Sequence, residues 1–279
     1  MEKSKENINF EEIEKKYDPQ LSFRKLGPKI NIIIIALLVS MSIYHFWASG
    51  FGLVREVLHR GIHISFVLGL VFLLFSWKKK DHFEKKNLSF LVFQNIDLLD
   101  YIFALLAVSA ALYLPLLPPE ILAQRVGNPE VIDIFMGSIL IVLTLEAARR
   151  SVGPTLPIIS IIFIFFAIFG PHAPGALKHG GTSWLGFVNH IYITNQGVYG
   201  IAVGVMAQYV FLFILFGVLA TRVGLGKLFI DLSMLIAGKF SGGPAKVAIF
   251  SSAFMGTISG SSIANTVTTG SLTIPAMKK

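Results

Sequence analysis

Six blocks of apolar residues, each near the length that crosses a bilayer, run along the chain at about 30–48, 62–77, 98–117, 131–148, 155–173 and 198–221. A helix needs ~20 residues to cross ~30 Å of hydrocarbon, and fewer where its flanking side chains snorkel. The second block is short at 16 residues, but Trp77 and the lysines after it anchor its end. Trp47, Tyr113 and Trp184 also lie near block ends, where interfacial aromatic residues belong. Of the 279 residues, 54% are hydrophobic and 14% charged, whereas soluble domains carry roughly a quarter charged residues. The apolar surplus must face lipid, so the fold class is an all-α polytopic membrane protein.

The net charge of +8 raises nucleic acid as a partner, but the basic residues sit in short loops between the apolar blocks. With the N-terminus in the cytoplasm and the blocks alternating, twenty Lys and Arg fall inside. Only Arg55, Arg60, Arg125 and Lys178 fall outside. That is the positive-inside pattern, and it predicts a cytoplasmic N-terminus and no nucleic-acid partner. The chain has no cysteine, which excludes a disulfide framework. No small-residue cleavage site follows the first apolar run, which reads as a retained span.

Residues 1–29 form a polar cytoplasmic lead in which Phe10, Ile13 and Tyr17 fall at helical spacing, as in a short helix lying on the membrane, with a loosely ordered tail as the competing reading. Two further segments read as interfacial. Thr182–Gln196 carries Trp184, Leu185, Val188 and Tyr192 on one stripe at the outer face. Gly226–Phe240 carries Leu228, Phe229, Leu232, Leu235 and Ile236 on one stripe at the inner face.

The stretch from Val247 to Met277 has 31 residues between Lys246 and the pair Lys278 and Lys279. It is too short for two spans of ~20 residues and too long for one. A re-entrant helical hairpin fits, with its turn at Ser259, Gly260, Ser261 and Ser262 and with Asn265, Thr266, Thr268 and Thr269 on the returning arm. From Met255 to Ser271, twelve of seventeen residues are Gly, Ser, Thr or Asn. Irregular backbone at membrane depth survives only inside protein or beside a wet cavity. Broken helix ends with hydroxyls and amides hold small cations and anionic substrate groups in transporters. Gly256–Gly260 is also a GxxxG, and a close helix contact is the competing reading. The segment lacks carboxylates, which Ca²⁺ and Mg²⁺ favour. Proton-coupled paths also use acidic groups or histidine. Sodium is therefore the expected coupling ion.

Three marks carry a family resemblance. They are Leu145-Glu146-Ala147-Ala148-Arg149-Arg150, then Gly242-Gly243-Pro244-Ala245-Lys246, then Ser259 to Gly270 followed by Thr273-Ile274-Pro275. Together they resemble the fused permease of the tripartite ATP-independent periplasmic (TRAP) transporters, most of all its TAXI-associated branch, from about residue 17 onward. The resemblance implies that 30–150 matches the small four-helix permease unit and that 151–279 begins the large elevator-type unit. The hairpin at 247–277 would be the first of two flanking the substrate and sodium sites. It further implies a TAXI-type extracytoplasmic binding protein, an organic-acid substrate carrying a carboxylate, and the cytoplasmic membrane of a bacterium or archaeon. The large unit of that family continues past a second hairpin, so the expectation is a truncated chain that does not transport alone.

Other polar residues read as structural. Glu146 is spaced to pair with Arg149 or Arg150 as an ion pair at a helix end. His45 and His63 read as lone interfacial histidines outside any metal-ligand spacing. Asp97, Asp100 and Asp133 read as capped or hydrated block edges. Gly226-Lys227 is followed by leucine, so it is not a phosphate loop. No catalytic constellation is present, and an enzyme is not expected. The rivals to a TRAP permease are another elevator-type sodium/anion symporter and a non-transporting membrane scaffold subunit.

Overall fold

Pro28 opens the first helix, α1 (Pro28–Phe51), where its missing N–H costs nothing. Gly52 closes that helix in the left-handed region at φ 62°, its N–H bonded to the Ala48 carbonyl. The structure is a computed structural model that describes residues 23–24, 26–52, 54–77, 92–93, 95–258, 265–266, 269–270, 273–274 and 277. The helix expected at Phe10–Tyr17 lies outside the described residues. Two compact units divide the chain, one over Phe23–Gln208 and one holding Tyr209–Lys279.

In the first unit α2 (Glu56–Leu74) follows α1, then come a two-residue antiparallel strand pair, β1 (Val92–Phe93) and β2 (Ile96–Asp97), and α3 (Leu98–Leu116). A short α4 (Pro119–Arg125) leads to α5 (Val131–Ser151) and α6 (Thr155–Ile168). The core lies where α2, α3 and α5 pack on one another, and α1 leans on α2. Small residues let these helices approach: Ala104, Ala107, Ala110 and Ala111 line the buried face of α3. A Cβ on Gly61 of α2 would fall into the Pro115 ring.

Pro115 sits inside α3 and cannot donate to the carbonyl four residues back. That carbonyl, on Ala111, takes the Tyr199 hydroxyl at 2.9 Å instead. The Tyr192 hydroxyl donates to the neighbouring Ala110 carbonyl at 2.7 Å. Arg55 covers the end of α3, donating to the Pro115 and Leu117 carbonyls. In a lipid environment every such freed backbone group needs a partner.

Tyr192 belongs to the expected outer stripe, which divides in two. Val188 and Tyr192, on α7 (Trp184–Val188) and the π-turn after it, are fully buried, while Trp184 and Leu185 stay exposed. Gly137 of α5 makes room, since a Cβ there would lie 2.5 Å from Val188 and 2.8 Å from the Tyr192 ring.

Among the described residues, five helices are long and apolar enough to cross a membrane: Pro28–Phe51, Glu56–Leu74, Leu98–Leu116, Val131–Ser151 and Ile201–Arg222. The fifth apolar block instead forms α6, whose 14 residues rise only about 21 Å. The second span begins at Glu56, six residues before the apolar block, because the polar side chains of its first turns are partnered or buried. Arg60, expected in an outer loop, is inside α2. It pairs with Glu56 and donates to the Tyr199 carbonyl at 2.6 Å. Gly204, in α8 (Ile201–Val205), leaves the space this guanidinium fills.

In the second unit α9 (Phe211–Arg222) precedes α10 (Leu225–Ala237) and α11 (Gly243–Gly256), and the last two pack together. α10 buries Gly226, Ile230, Ser233 and Ala237 and leaves its apolar stripe of Leu228, Leu232, Leu235 and Ile236 exposed. An exposed apolar face on an amphipathic helix is the arrangement of a segment lying in lipid.

Candidate functional site

The site begins with Gly242, at φ 70°, and Pro244, which together start α11 sharply. Val247, Ser251 and Met255 form the buried face of α11. Met255 packs over Gly226 of α10, its sulfur 3.6 Å from where a Cβ would stand. The helix ends at Gly256, and the Thr257 hydroxyl turns back to the Phe254 carbonyl at 2.6 Å. A Cβ on Gly217 of α9 would meet the Ile258 carbonyl, so α9 passes hard against this end.

Asn265 then reaches back to α11. Its Nδ2 donates to the Ser252 carbonyl at 3.0 Å and to the Ser252 hydroxyl at 3.3 Å. The Thr269 hydroxyl donates to the Asn265 carbonyl and the Thr273 hydroxyl to the Thr269 carbonyl, each at 2.8 Å. These are helical i to i−4 bonds, and Asn265, Thr266, Thr269 and Thr273 all have helical backbone. The Oδ1 atom of Asn265 is buried and has no hydrogen-bond partner among the described residues. A buried amide oxygen without a donor is costly, and a cation is one group that satisfies it. Ser259, Gly260, Ser261, Ser262 and Thr268 lie outside the described residues. Of the expected residues, Asn265, Thr266 and Thr269 are described; the expected turn itself is not.

Glu146, Arg149 and Arg150 belong to a second, separate cluster. Glu146 binds both arginines at once, Arg149 through Nε and Nη2 at 2.7 and 2.8 Å and Arg150 through Nε at 2.6 Å. Arg150 also donates to Asp100 at 2.7 Å, and its guanidinium lies over the rings of Phe72 and Trp77 at 5.0 and 5.4 Å. Asp100 is 2% exposed and takes Arg24 on its other oxygen at 2.7 Å. Arg24 in turn donates to the Phe75 and Phe72 carbonyls at the end of α2. The helix-end ion pair expected from spacing is thus one side of a buried network joining residue 24 to α2, α3 and α5.

Two aspartates therefore depart from the expectation of hydrated block edges. Asp100 is locked between arginines, and Asp133 is fully buried. Asp133 accepts from the Tyr113 hydroxyl at 2.9 Å and from Arg125 and the Glu130 N–H at 2.8 Å each. A carboxylate beside an apolar block with an arginine at the next block edge is the signal that would have found both. His45 and His63 are not lone either: their rings hydrogen-bond at 2.9 Å. Among the described residues no group of three or more His, Cys, Asp or Glu is placed to hold a metal.

Five helices long and apolar enough to cross a membrane define the class as a helical, multi-pass membrane protein. The family model described as "Tripartite ATP-independent periplasmic transporter, DctM component" matches residues 139–279, just over half of the chain. The chain belongs to this family, and so is a permease component of a TRAP transporter, a system that works with a substrate-binding protein. No curated protein and no solved structure matches it.

Proposed function

We propose that this chain forms part of a sodium-coupled, binding-protein-dependent permease for organic acids of the TAXI-associated branch. In this reading Val247–Met277 is a re-entrant hairpin entered from the cytoplasm, within an elevator-type unit. The observation that carries it is the Asn265 amide: Nδ2 is fixed by Ser252 while Oδ1 is buried and, among the described residues, unpartnered. The segment supplies neutral oxygens and no carboxylate, the donor set a monovalent cation takes. The return arm adds the Thr269 and Thr273 hydroxyl oxygens, whose lone pairs remain after each donates its hydrogen.

Uptake in proteoliposomes tests the reading. The permease that contains this chain is reconstituted, its binding protein is added outside, and a radiolabelled carboxylate is supplied with an inward sodium gradient. Expected is uptake that requires both sodium and the binding protein and that falls at least tenfold in Asn265→Ala. Uptake driven by sodium with no binding protein would support an elevator symporter of another kind. Uptake indifferent to sodium would remove the coupling ion from the proposal.

A further inference from the structure

His45 lies in the last two turns of α1, and His59 and His63 lie one turn apart on α2; all three are buried. The His45 ring centroid is 5.0 Å from that of His63 and 5.3 Å from that of His59. His45 Nδ1 stands 2.8 Å from the Met41 carbonyl oxygen, and His45 Nε2 stands 2.9 Å from His63 Nδ1. The Tyr44 hydroxyl is 3.0 Å from His59 Nδ1.

The partners fix where the protons are. A carbonyl only accepts, so His45 Nδ1 carries the hydrogen that bonds Met41. Neutral His45 then has a bare Nε2, and His63 must donate to it from Nδ1. One added proton is tolerated: it sits on His45 Nε2, which now donates, provided the His63 hydrogen moves to its own Nε2. A second added proton is not tolerated. Both facing nitrogens would then carry hydrogens, and two imidazolium rings would confront each other at contact distance.

We propose that His45 and His63 form a buried binding site for a single proton, and that a second proton breaks this link between α1 and α2. The pair ties α1 to α2 beside the Tyr44–His59 bond, and among the buried residues Ile30, Ile34, Met41, His45 and Ala48 of α1, His45 is the polar one. Among the described residues, the titratable and charged groups near the pair are His59, Tyr44, Arg60 and Glu56. Tyr44 is engaged by His59, and Arg60 by Glu56 and the Tyr199 carbonyl. The site lies toward the membrane face onto which α1 ends and α2 begins, so acid on that side would reach it first.

The test is nitrogen NMR of the full chain labelled at histidine and held in lipid nanodiscs, titrated from pH 8 to pH 4, with thermal unfolding followed in parallel. Coupling across the imidazole–imidazole hydrogen bond identifies the pair in the unsubstituted chain, without a variant having to fold. Expected at pH 8 are Nδ1–H tautomers on both rings. Acidification should then add two protons in separate steps, with the coupling kept through the first and lost in the second. The unfolding temperature should fall across the second step alone. In His63→Gln the amide can donate to or accept from His45 Nε2, so one proton step should remain and the acid drop in unfolding temperature should vanish. An Nε2–H tautomer on His45 at pH 8 would overturn the proposal. So would both rings titrating in one step with no change in unfolding temperature.

Discussion

Tyr199 donates its hydroxyl at 2.9 Å to the Ala111 carbonyl, the one that Pro115 leaves without a helical donor. A residue 88 positions along the chain thus completes the backbone of α3. Tyr199→Phe should cost about 1–3 kcal/mol, the usual penalty for stranding a buried acceptor. Thermal unfolding in detergent measures this, and an unchanged midpoint would mean that Ala111 finds water or another donor.

Burial also sets the response of this pair to alkali. Tyr192 and Tyr199 lie outside the spans, and burial pushes both phenols well above the usual tyrosine range, Tyr199 further through its neighbour Tyr192. A group whose folded value is raised contributes stability that is complete below the unfolded value and is lost as pH rises beyond it. Above about pH 10 the unfolded chain releases these protons and the folded one keeps them, at about 1.4 kcal/mol per pH unit for each. Stability should therefore begin to fall near pH 10, and the double Tyr192→Phe, Tyr199→Phe variant should show a shallower alkaline slope. Equal slopes would place the alkaline limit elsewhere.

Asp100 answers two buried arginines, Arg24 and Arg150, with one carboxylate. Removing one partner of a buried pair typically costs 3–5 kcal/mol, roughly, because a charge is left stranded. Asp100→Leu should fall in that range or fail to assemble. Adding Arg150→Met to it should recover part of the loss, by removing a stranded charge and keeping a side chain long enough to lie against Phe72 and Trp77. A double variant as unstable as the sum of the singles would show that the network acts through Arg24 alone.

Much of this was legible in the sequence. Apolar block length located five candidate spans because the lipid-facing surface of a helix must be apolar, and the i,i+3 and i,i+4 spacing of Glu146 named its partners. Asp100 was not legible as a core residue, because its partners lie 76 and 50 positions away and no local pattern joins them. The start of α2 was missed for a related reason. Glu56, His59, Arg60 and His63 make the first turns look like a loop until Tyr199, Tyr44 and His45 are brought beside them. The expected α10 stripe is exposed at Leu228, Leu232, Leu235 and Ile236, while its fifth member, Phe229, packs on Phe254. That its opposite face of small residues is the buried one became clear only once α11 was in place.

Close approach at Gly137 makes a sharp packing prediction. A Cβ there would lie 2.5 Å from Val188 and within 2.9 Å of the Tyr192 ring, while Gly50 has nothing within 4 Å of its Cβ position. Gly137→Ala should destabilise by about 1–3 kcal/mol through overpacking, and Gly50→Ala, in a helix with open space around it, should be neutral or mildly stabilising. Comparable unfolding midpoints for the two variants would mean that α7 shifts without cost.

The absence of native cysteine allows the proposed orientation to be read directly. Asn128 is exposed in the turn between α4 and α5, and Ser241 is exposed between α10 and α11. With a cytoplasmic N-terminus these positions fall on opposite sides, the first outside and the second inside. A membrane-impermeant maleimide should label Asn128→Cys in intact cells and Ser241→Cys only after the membrane is opened. The basic residues predict this order, since Arg222, Lys227, Lys239 and Lys246 crowd the Ser241 side. Labelling in the reverse order would invert the molecule and send the Gly242–Met277 segment in from the outer face. A cation at Asn265 would then be loaded by a different route from the one proposed.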